Sequence, residues 1–118
     1  MKIHKFIPLI NIFGIILLTG CYENNDVEKV YYDDGSLMSK THYKDGVISK
    51  LEFYREDGTL EHTDTYENGV VSKYEFYRDD ETLKEIQTFE NGVISKVKNY
   101  SEDGSLEQID VYENGLKP

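Results

Sequence analysis

The chain has no tryptophan, one cysteine and two prolines in 118 residues. A lone cysteine cannot close an intrachain disulfide, so no covalent staple holds this fold. The prolines are Pro8 and Pro118. Nothing between them forbids hydrogen-bonded strands. Cations are scarce: 13 Lys and Arg face 23 Asp and Glu, a formal net charge of -10. That balance speaks against nucleic acid and anionic lipid as partners, because both are held by net cationic surface. There is no glycine-rich phosphate loop, no Cys/His set of zinc spacing and no Ser/His/acid grouping. His42 and His62 are 20 apart and occupy different places in the period described next. Metal ligands in an array would be expected to repeat, so both read as surface histidines. The acidic pairs Asp33-Asp34, Glu56-Asp57, Asp79-Asp80 and Glu102-Asp103 lack the spaced oxygens of a calcium loop and read as solvated turns. No catalytic residue, cofactor or metal is expected, and the chain is not expected to be an enzyme.

What the chain has is a period. Tyr31, Tyr54, Tyr77 and Tyr100 are 23 apart, and so are Leu37, Leu60, Leu83 and Leu106. Tyr43, Tyr66, Phe89 and Tyr112 keep the same spacing, as do Gly46, Gly69, Gly92 and Gly115. A strict period of this size marks a repeat array whose units touch mainly their neighbours. Two kinds of turn alternate. One is Asp34-Gly35, Asp57-Gly58, Asp80-Glu81 and Asp103-Gly104; the other is Asp45-Gly46, Asn68-Gly69, Asn91-Gly92 and Asn114-Gly115. Asp-Gly and Asn-Gly between Tyr-, Val-, Ile- and Thr-rich runs are strong hairpin signals. The expected fold is all-β: an elongated antiparallel meander of about eight strands in a single twisted sheet.

Side chains alternate faces along a strand, so an odd period needs one odd and one even loop per unit. A three-residue Glu-Asp-Gly loop and a two-residue Asn-Gly loop satisfy this, and they place Tyr54 opposite Leu60 and Tyr66 opposite Val71. One face is then expected to carry Ile48, Lys50, Glu52, Tyr54, Leu60, His62, Asp64 and Tyr66. The other is expected to carry Leu51, Phe53, Thr63, Thr65, Tyr74, Phe76, Ile86, Val97, Ile109 and Val111. The columns Tyr31, Tyr54, Tyr77, Tyr100 and Tyr43, Tyr66, Phe89, Tyr112 form the candidate binding strip, since aromatic residues are favoured at binding surfaces. Glu81 stands where the other turns have glycine, so that turn is expected to be distorted or to change type.

The first 20 residues read as an export signal, preceding the array as a helix. Lys2 and Lys5 begin it, and an apolar run from Phe6 to Leu18 follows, too short to span a membrane comfortably. Leu18-Thr19-Gly20-Cys21 resembles the lipobox of bacterial lipoproteins. The resemblance implies cleavage before Cys21 and lipid attachment to it. The mature chain would then have 98 residues (118 minus 20) and, without Lys2 and Lys5, a formal charge of -12. Residues 21–29 read as lipidated cysteine and tether, and residues 30–118 as the array of about four units. Tyr22 leaves the aspartate retention signal absent, which leans toward the outer membrane in a diderm envelope.

The unit Phe53-Tyr54-Arg55-Glu56-Asp57-Gly58-Thr59-Leu60 with Tyr66-Glu67-Asn68-Gly69 resembles the MORN repeat in its bacterial variant form. Proteins with this repeat include lipoproteins and the antitoxin component of YwqK-type toxin–antitoxin systems. The resemblance implies an elongated β-array that binds a protein partner, with a toxin among the candidates, and carries no catalytic residues. A carbohydrate or cell-wall ligand on the aromatic strip and edge-to-edge self-association near Val30 or Ile109 are further expectations. The location implied is the bacterial envelope, through the lipid on Cys21.

Overall fold

The computed structural model describes residues 4–6 and 25–118. Cys21 and the expected signal helix, apart from His4–Phe6, lie outside the described residues. The strands are β1 His4–Phe6, β2 Val27–Tyr31, β3 Leu37–Lys44, β4 Val47–Tyr54, β5 Leu60–Glu67, β6 Val70–Tyr77, β7 Leu83–Glu90, β8 Val93–Tyr100 and β9 Leu106–Val111. All are antiparallel and lie in sequence order in one sheet. The expected meander is therefore present, β2 to β9 forming the array. Its first strand begins at Val27, so Val27–Lys29 are strand rather than tether.

The turns follow from local chemistry. Asn68 and Gly69 have φ of 51° and 78°, both positive, as the tightest two-residue hairpin requires. The Asp-Gly turns are wider. Gly58 N–H donates to Arg55 O at 2.9 Å, and Arg55 N–H donates to Thr59 O at 2.9 Å. Asp57 Oδ1 accepts from Thr59 N–H at 2.9 Å and from the Thr59 hydroxyl at 2.6 Å, bracing the bend. Glu81 corrects an expectation. It keeps a positive φ of 66°, and its N–H donates to Arg78 O at 2.8 Å just as Gly58 does to Arg55. The turn is not remodelled. Left-handed backbone at glutamate costs roughly 1–2 kcal/mol, and the side chain offsets part of it: Oε1 accepts from Leu60 N–H in the preceding unit at 2.8 Å.

Each unit carries two bulges. Phe53 pairs with His62 but Tyr54 pairs with Leu60, leaving Glu61 extra. Thr65 pairs with Lys73 but Tyr66 pairs with Val71, leaving Ser72 extra. The serine hydroxyl at the second bulge donates to a facing carbonyl: Ser49 to His42 O, Ser72 to Thr65 O and Ser95 to Thr88 O, at 3.0–3.1 Å. The expected pairs Tyr54–Leu60 and Tyr66–Val71 are both present. The expected faces are present in part: Lys50, Glu52 and Tyr54 share one face and Leu51, Phe53, Tyr74, Phe76 and Val97 the other, but Ile48, His62, Asp64 and Tyr66 leave the first and Thr63, Thr65, Ile86, Ile109 and Val111 leave the second. A bulge adds one residue and reverses which side the following residues face. His62 and Asp64 therefore lie with Phe53 and Leu51, and Thr63 and Thr65 lie with Glu52 and Lys50. The bulges come in pairs, so residues 23 apart still share a face, as Lys50, Lys73 and Lys96 do.

No side chain is fully buried, and only Ser39, Thr63 and Val97 fall in the buried class among the described residues. Among the described residues no second layer covers the sheet. Cohesion comes instead from cross-strand pairs, each about 0.2–1 kcal/mol, and from clamps between units. Arg55 donates to Leu60 O at 3.0 Å, to Tyr77 O at 2.6 Å and to Arg78 O at 3.3 Å. Arg78, one unit on, donates to Leu83 O and Tyr100 O at 2.9 and 2.5 Å. Tyr32, at the corresponding place, donates to Tyr54 O at 2.7 Å. The guanidinium fork reaches two units at once, which a lysine could not do.

Candidate interaction surfaces

The registers assign every central strand residue to a face. One face carries the row Val27, His42, Lys50, Thr65, Lys73, Thr88, Lys96, Val111 and the row Lys29, Lys40, Glu52, Thr63, Glu75, Ile86, Lys98, Ile109. The column Tyr31, Tyr54, Tyr77, Tyr100 borders it, since Tyr54 lies two residues from Glu52 on a regular strand. The opposite face carries Glu28, Thr41, Leu51, Asp64, Tyr74, Gln87, Val97, Asp110 and Val30, Ser39, Phe53, His62, Phe76, Glu85, Asn99, Gln108. Tyr43, Tyr66, Phe89 and Tyr112 border that one, because Tyr66 lies three residues from Thr63. The candidate strip is thus two columns on opposite faces rather than one surface. All eight rings are half-buried.

Charge divides with the faces. The two central rows of the first face hold six lysines and two glutamates, a formal sum of +4 (6 minus 2). The central rows of the second face, over β2 to β9, hold Glu28, Asp64, Glu85 and Asp110 and no lysine, a sum of -4. Net charge conceals this, because most carboxylates sit in turns at the strand ends.

On the lysine face, Lys50 Nζ lies 3.7 Å from Glu52 and Lys73 Nζ lies 3.2 Å from Glu75. His42 Nε2 lies 2.6 Å from Glu52 Oε1. Burial pushes the Glu52 carboxyl up, but the His42 hydrogen bond, with Lys50, His42 and Lys40 close by, leaves it below the ordinary range. Tyr54 donates to Glu52 at 3.4 Å. Burial raises the phenols of Tyr54 and Tyr77, and the adjacent Glu52 and Glu75 raise them further, since a phenolate would meet a carboxylate. These tyrosines are neutral donors, not bases.

The second face carries an aromatic ladder. Phe53 stacks on His62 with centroids 4.2 Å apart, and His62 meets Phe76 at 5.6 Å. Tyr74 sits edge-on to Phe76 at 6.3 Å and to Phe89 at 4.8 Å. Burial raises the Asp64 carboxyl beside this ladder, with His62 at 3.8 Å opposing the shift. At the rim, three open grooves recur one unit apart. They enclose about 530, 240 and 170 Å³ and are lined in turn by Tyr66, Phe89 and Tyr112 together with the bulge serines. Among the described residues no three of His, Cys, Asp and Glu gather as metal ligands.

Sequence reasoning placed Phe53, Tyr74 and Phe76 on one face and Lys50 on the other, but left them out of the candidate binding strip. One signal was there: Ser49-Lys50, Ser72-Lys73 and Ser95-Lys96 repeat every 23 residues. The serine marks the bulge and the lysine marks the face.

The MORN repeat variant model matches residues 27–45, which is β2, its turn and β3. A MORN repeat variant is therefore present in the chain, and the 23-residue period repeats its positions through β9. No curated protein matches the sequence. Among solved structures the chain is similar to part of a chain in the crystal structure of accessory secretory protein 1, 2 and 3 in Streptococcus pneumoniae, with TM-score 0.56 and 17% identity over 78% of this chain and 18% of that one. It is also similar to part of an S. aureus TarM mutant in complex with fondaparinux, alpha-GlcNAc-glycerol and UDP, with TM-score 0.59 and 9% identity over 93% of this chain and 25% of that one. At such identities the likeness is one of fold. The chain spans a quarter or less of those proteins. The fold and surfaces define a class, an open β-meander repeat array with two chemically distinct faces.

Proposed function

We propose that the chain is a lipid-anchored protein of the bacterial envelope that works as a non-catalytic, protein-binding module. The observation that carries this reading is the aromatic ladder from Phe53 through His62, Phe76 and Tyr74 to Phe89, half-buried and flanked by repeating grooves. A strip of rings on a rigid sheet offers large apolar contact at low entropic cost, which suits a protein partner. Acyl chains on Cys21 would hold the array at the membrane, two or three of them being needed for stable anchoring.

The test is capture from envelope extract by wild type and by Phe76→Arg, with circular dichroism confirming the strands in both. A protein retained by wild type and lost with the variant supports the reading. Equal retention by both, or recovery of no protein, overturns it. Metabolic labelling with a fatty acid, lost in Cys21→Ala, tests the anchor. The resemblance to YwqK-type antitoxins supports a narrower version, in which the partner is a toxin; co-expression with a toxin-like neighbouring gene should then restore growth. Edge-to-edge pairing through β9, where Ile109 and Val111 are 47% and 53% exposed, would appear as concentration-dependent sedimentation.

A further inference from the structure

We propose that the lysine face binds a linear anionic polysaccharide with a disaccharide repeat, one acidic group of which seats on Lys96 and Lys98. The ligand class follows from a match of periods. Lys50, Lys73 and Lys96 stand in one row on β4, β6 and β8, and Tyr54, Tyr77 and Tyr100 stand on the same three strands. Neighbouring strands are about 4.8 Å apart, so each feature recurs about every 9.5 Å across the sheet. That is close to the length of one disaccharide in an extended chain. A periodic ligand laid across the strands would meet the same side chains at each step.

The chemistry within each step suits a sugar. Lys50, Glu52 and Tyr54 lie on one face of β4, with Glu52 touching both neighbours, at 3.7 Å and 3.4 Å. Lys73, Glu75 and Tyr77 repeat the set on β6, with Lys73 and Glu75 3.2 Å apart. Such a set offers donors, acceptors and a ring face, which hydroxyls and the C–H side of a sugar ring need together. On β8 the middle residue becomes Lys98, so Lys96, Lys98 and Tyr100 form a site with two cations. Neither lysine has a carboxylate within ion-pair distance among the described residues. Their cross-strand neighbours are Ile86, Thr88, Ile109 and Val111, none of them charged. That is where an acidic group is held.

The acidic turns do not cancel this attraction. An eight-residue strand is roughly 26 Å long, so mid-face lies about 13 Å from either rim. At physiological ionic strength the screening length is about 8 Å. An anion over Lys96 and Lys98 therefore feels the lysines more than the turns. Over β2 to β9 the central rows of the opposite face are acidic and carry no lysine, and would repel the same ligand, which limits it to one side.

The experiment is calorimetric titration of the full chain with hyaluronan, which has one carboxylate per disaccharide. Neutral dextran and poly-glutamate serve as comparison probes. Hyaluronan should bind, dextran should not, and poly-glutamate should bind several-fold more weakly. Lys96→Gln/Lys98→Gln should lower hyaluronan affinity about tenfold with the melting temperature kept. Absence of hyaluronan binding at low salt, or wild-type affinity in the folded lysine variant, overturns the proposal. Equal binding of poly-glutamate also overturns it, pointing to an acidic protein segment instead. The lysine variant should still capture the protein partner on the aromatic face, so the two readings fail separately.

Discussion

Arg55 tests whether clamps between units, rather than a core, hold this sheet. Its side chain is 21% exposed. It reaches Leu60 O at 3.0 Å within its own hairpin and Tyr77 O at 2.6 Å in the next unit, with Arg78 O at 3.3 Å. Its ion pair with Asp79 at 3.2 Å adds little, because that carboxylate is 93% exposed. A hydrogen bond to a charged group contributes about 1.5–3 kcal/mol when buried. At this rim, water can replace part of each bond. About 1 kcal/mol apiece for the two short backbone bonds, with a smaller share from the longer one, gives a cost of about 2–3 kcal/mol for Arg55→Ala. In a domain of this size that is a fall in melting temperature of about 10–20 °C. Arg55→Lys should recover less than half, since one ammonium cannot reach both units. Tyr32→Phe, which removes a single bond of 2.7 Å, should cost about 1 kcal/mol. Urea unfolding followed by circular dichroism measures all three. If Arg55→Ala costs under about 0.5 kcal/mol, or if Arg55→Lys matches wild type, the clamps do not hold the array and the argument fails.

Glu81→Ala should destabilise by about 1 kcal/mol, because it keeps the left-handed backbone and loses the bond to Leu60 N–H; Glu81→Gly loses the bond but also the strain, and should be close to neutral. Equal effects of the two would show that the backbone is not strained there. Gly92→Ala should cost about 1–2 kcal/mol by thermal unfolding, since φ is 78° and the added Cβ would meet Val70 Cγ1 at 3.4 Å. In acid, Asp103 should titrate at about 2, held down by the Ser101 and Ser105 hydroxyls and the Ser105 N–H. Asp34, Asp57 and Asp80 are lowered by the same arrangement. A carboxyl depressed on folding contributes stability above its unfolded pKa and loses it as pH falls through the folded one. The array should therefore weaken between about pH 4 and pH 2, and a carbon-detected NMR titration with Asp103 at an ordinary value would refute this. Asp64 runs the other way: burial raises it, so its charged form opposes folding at neutral pH. Asp64→Asn should be as stable as wild type or more so at pH 7, and a clear loss there by urea unfolding would contradict the assignment.

The repeat, its two turn types and the antiparallel meander were legible in the residues alone. These are local matters. Asn-Gly accepts two positive φ angles, Asp with a following Ser or Thr braces the wider bend, and the 23-residue spacing carries both along the chain. The pairs Tyr54–Leu60 and Tyr66–Val71 were legible too, since they adjoin the turns that set them. The faces were legible only in part. Ser72 and Glu61 sit in bulges that exist only as hydrogen-bonding choices between two strands, and each bulge shifts the partner by one residue. Because side chains alternate with period two, that single residue moves His62 and Asp64 to one side and Thr63 and Thr65 to the other. The same geometry placed the two tyrosine columns on opposite faces along opposite rims and gathered the central-row lysines of an acidic chain onto one surface. Arg55 and Glu81 likewise act on carbonyls and amides about one unit away, which linear spacing does not bring together. Sequence by itself determined that the chain pleats and where it bends. Only the pairing between strands decided what each face presents, because facing depends on registers that no single strand contains.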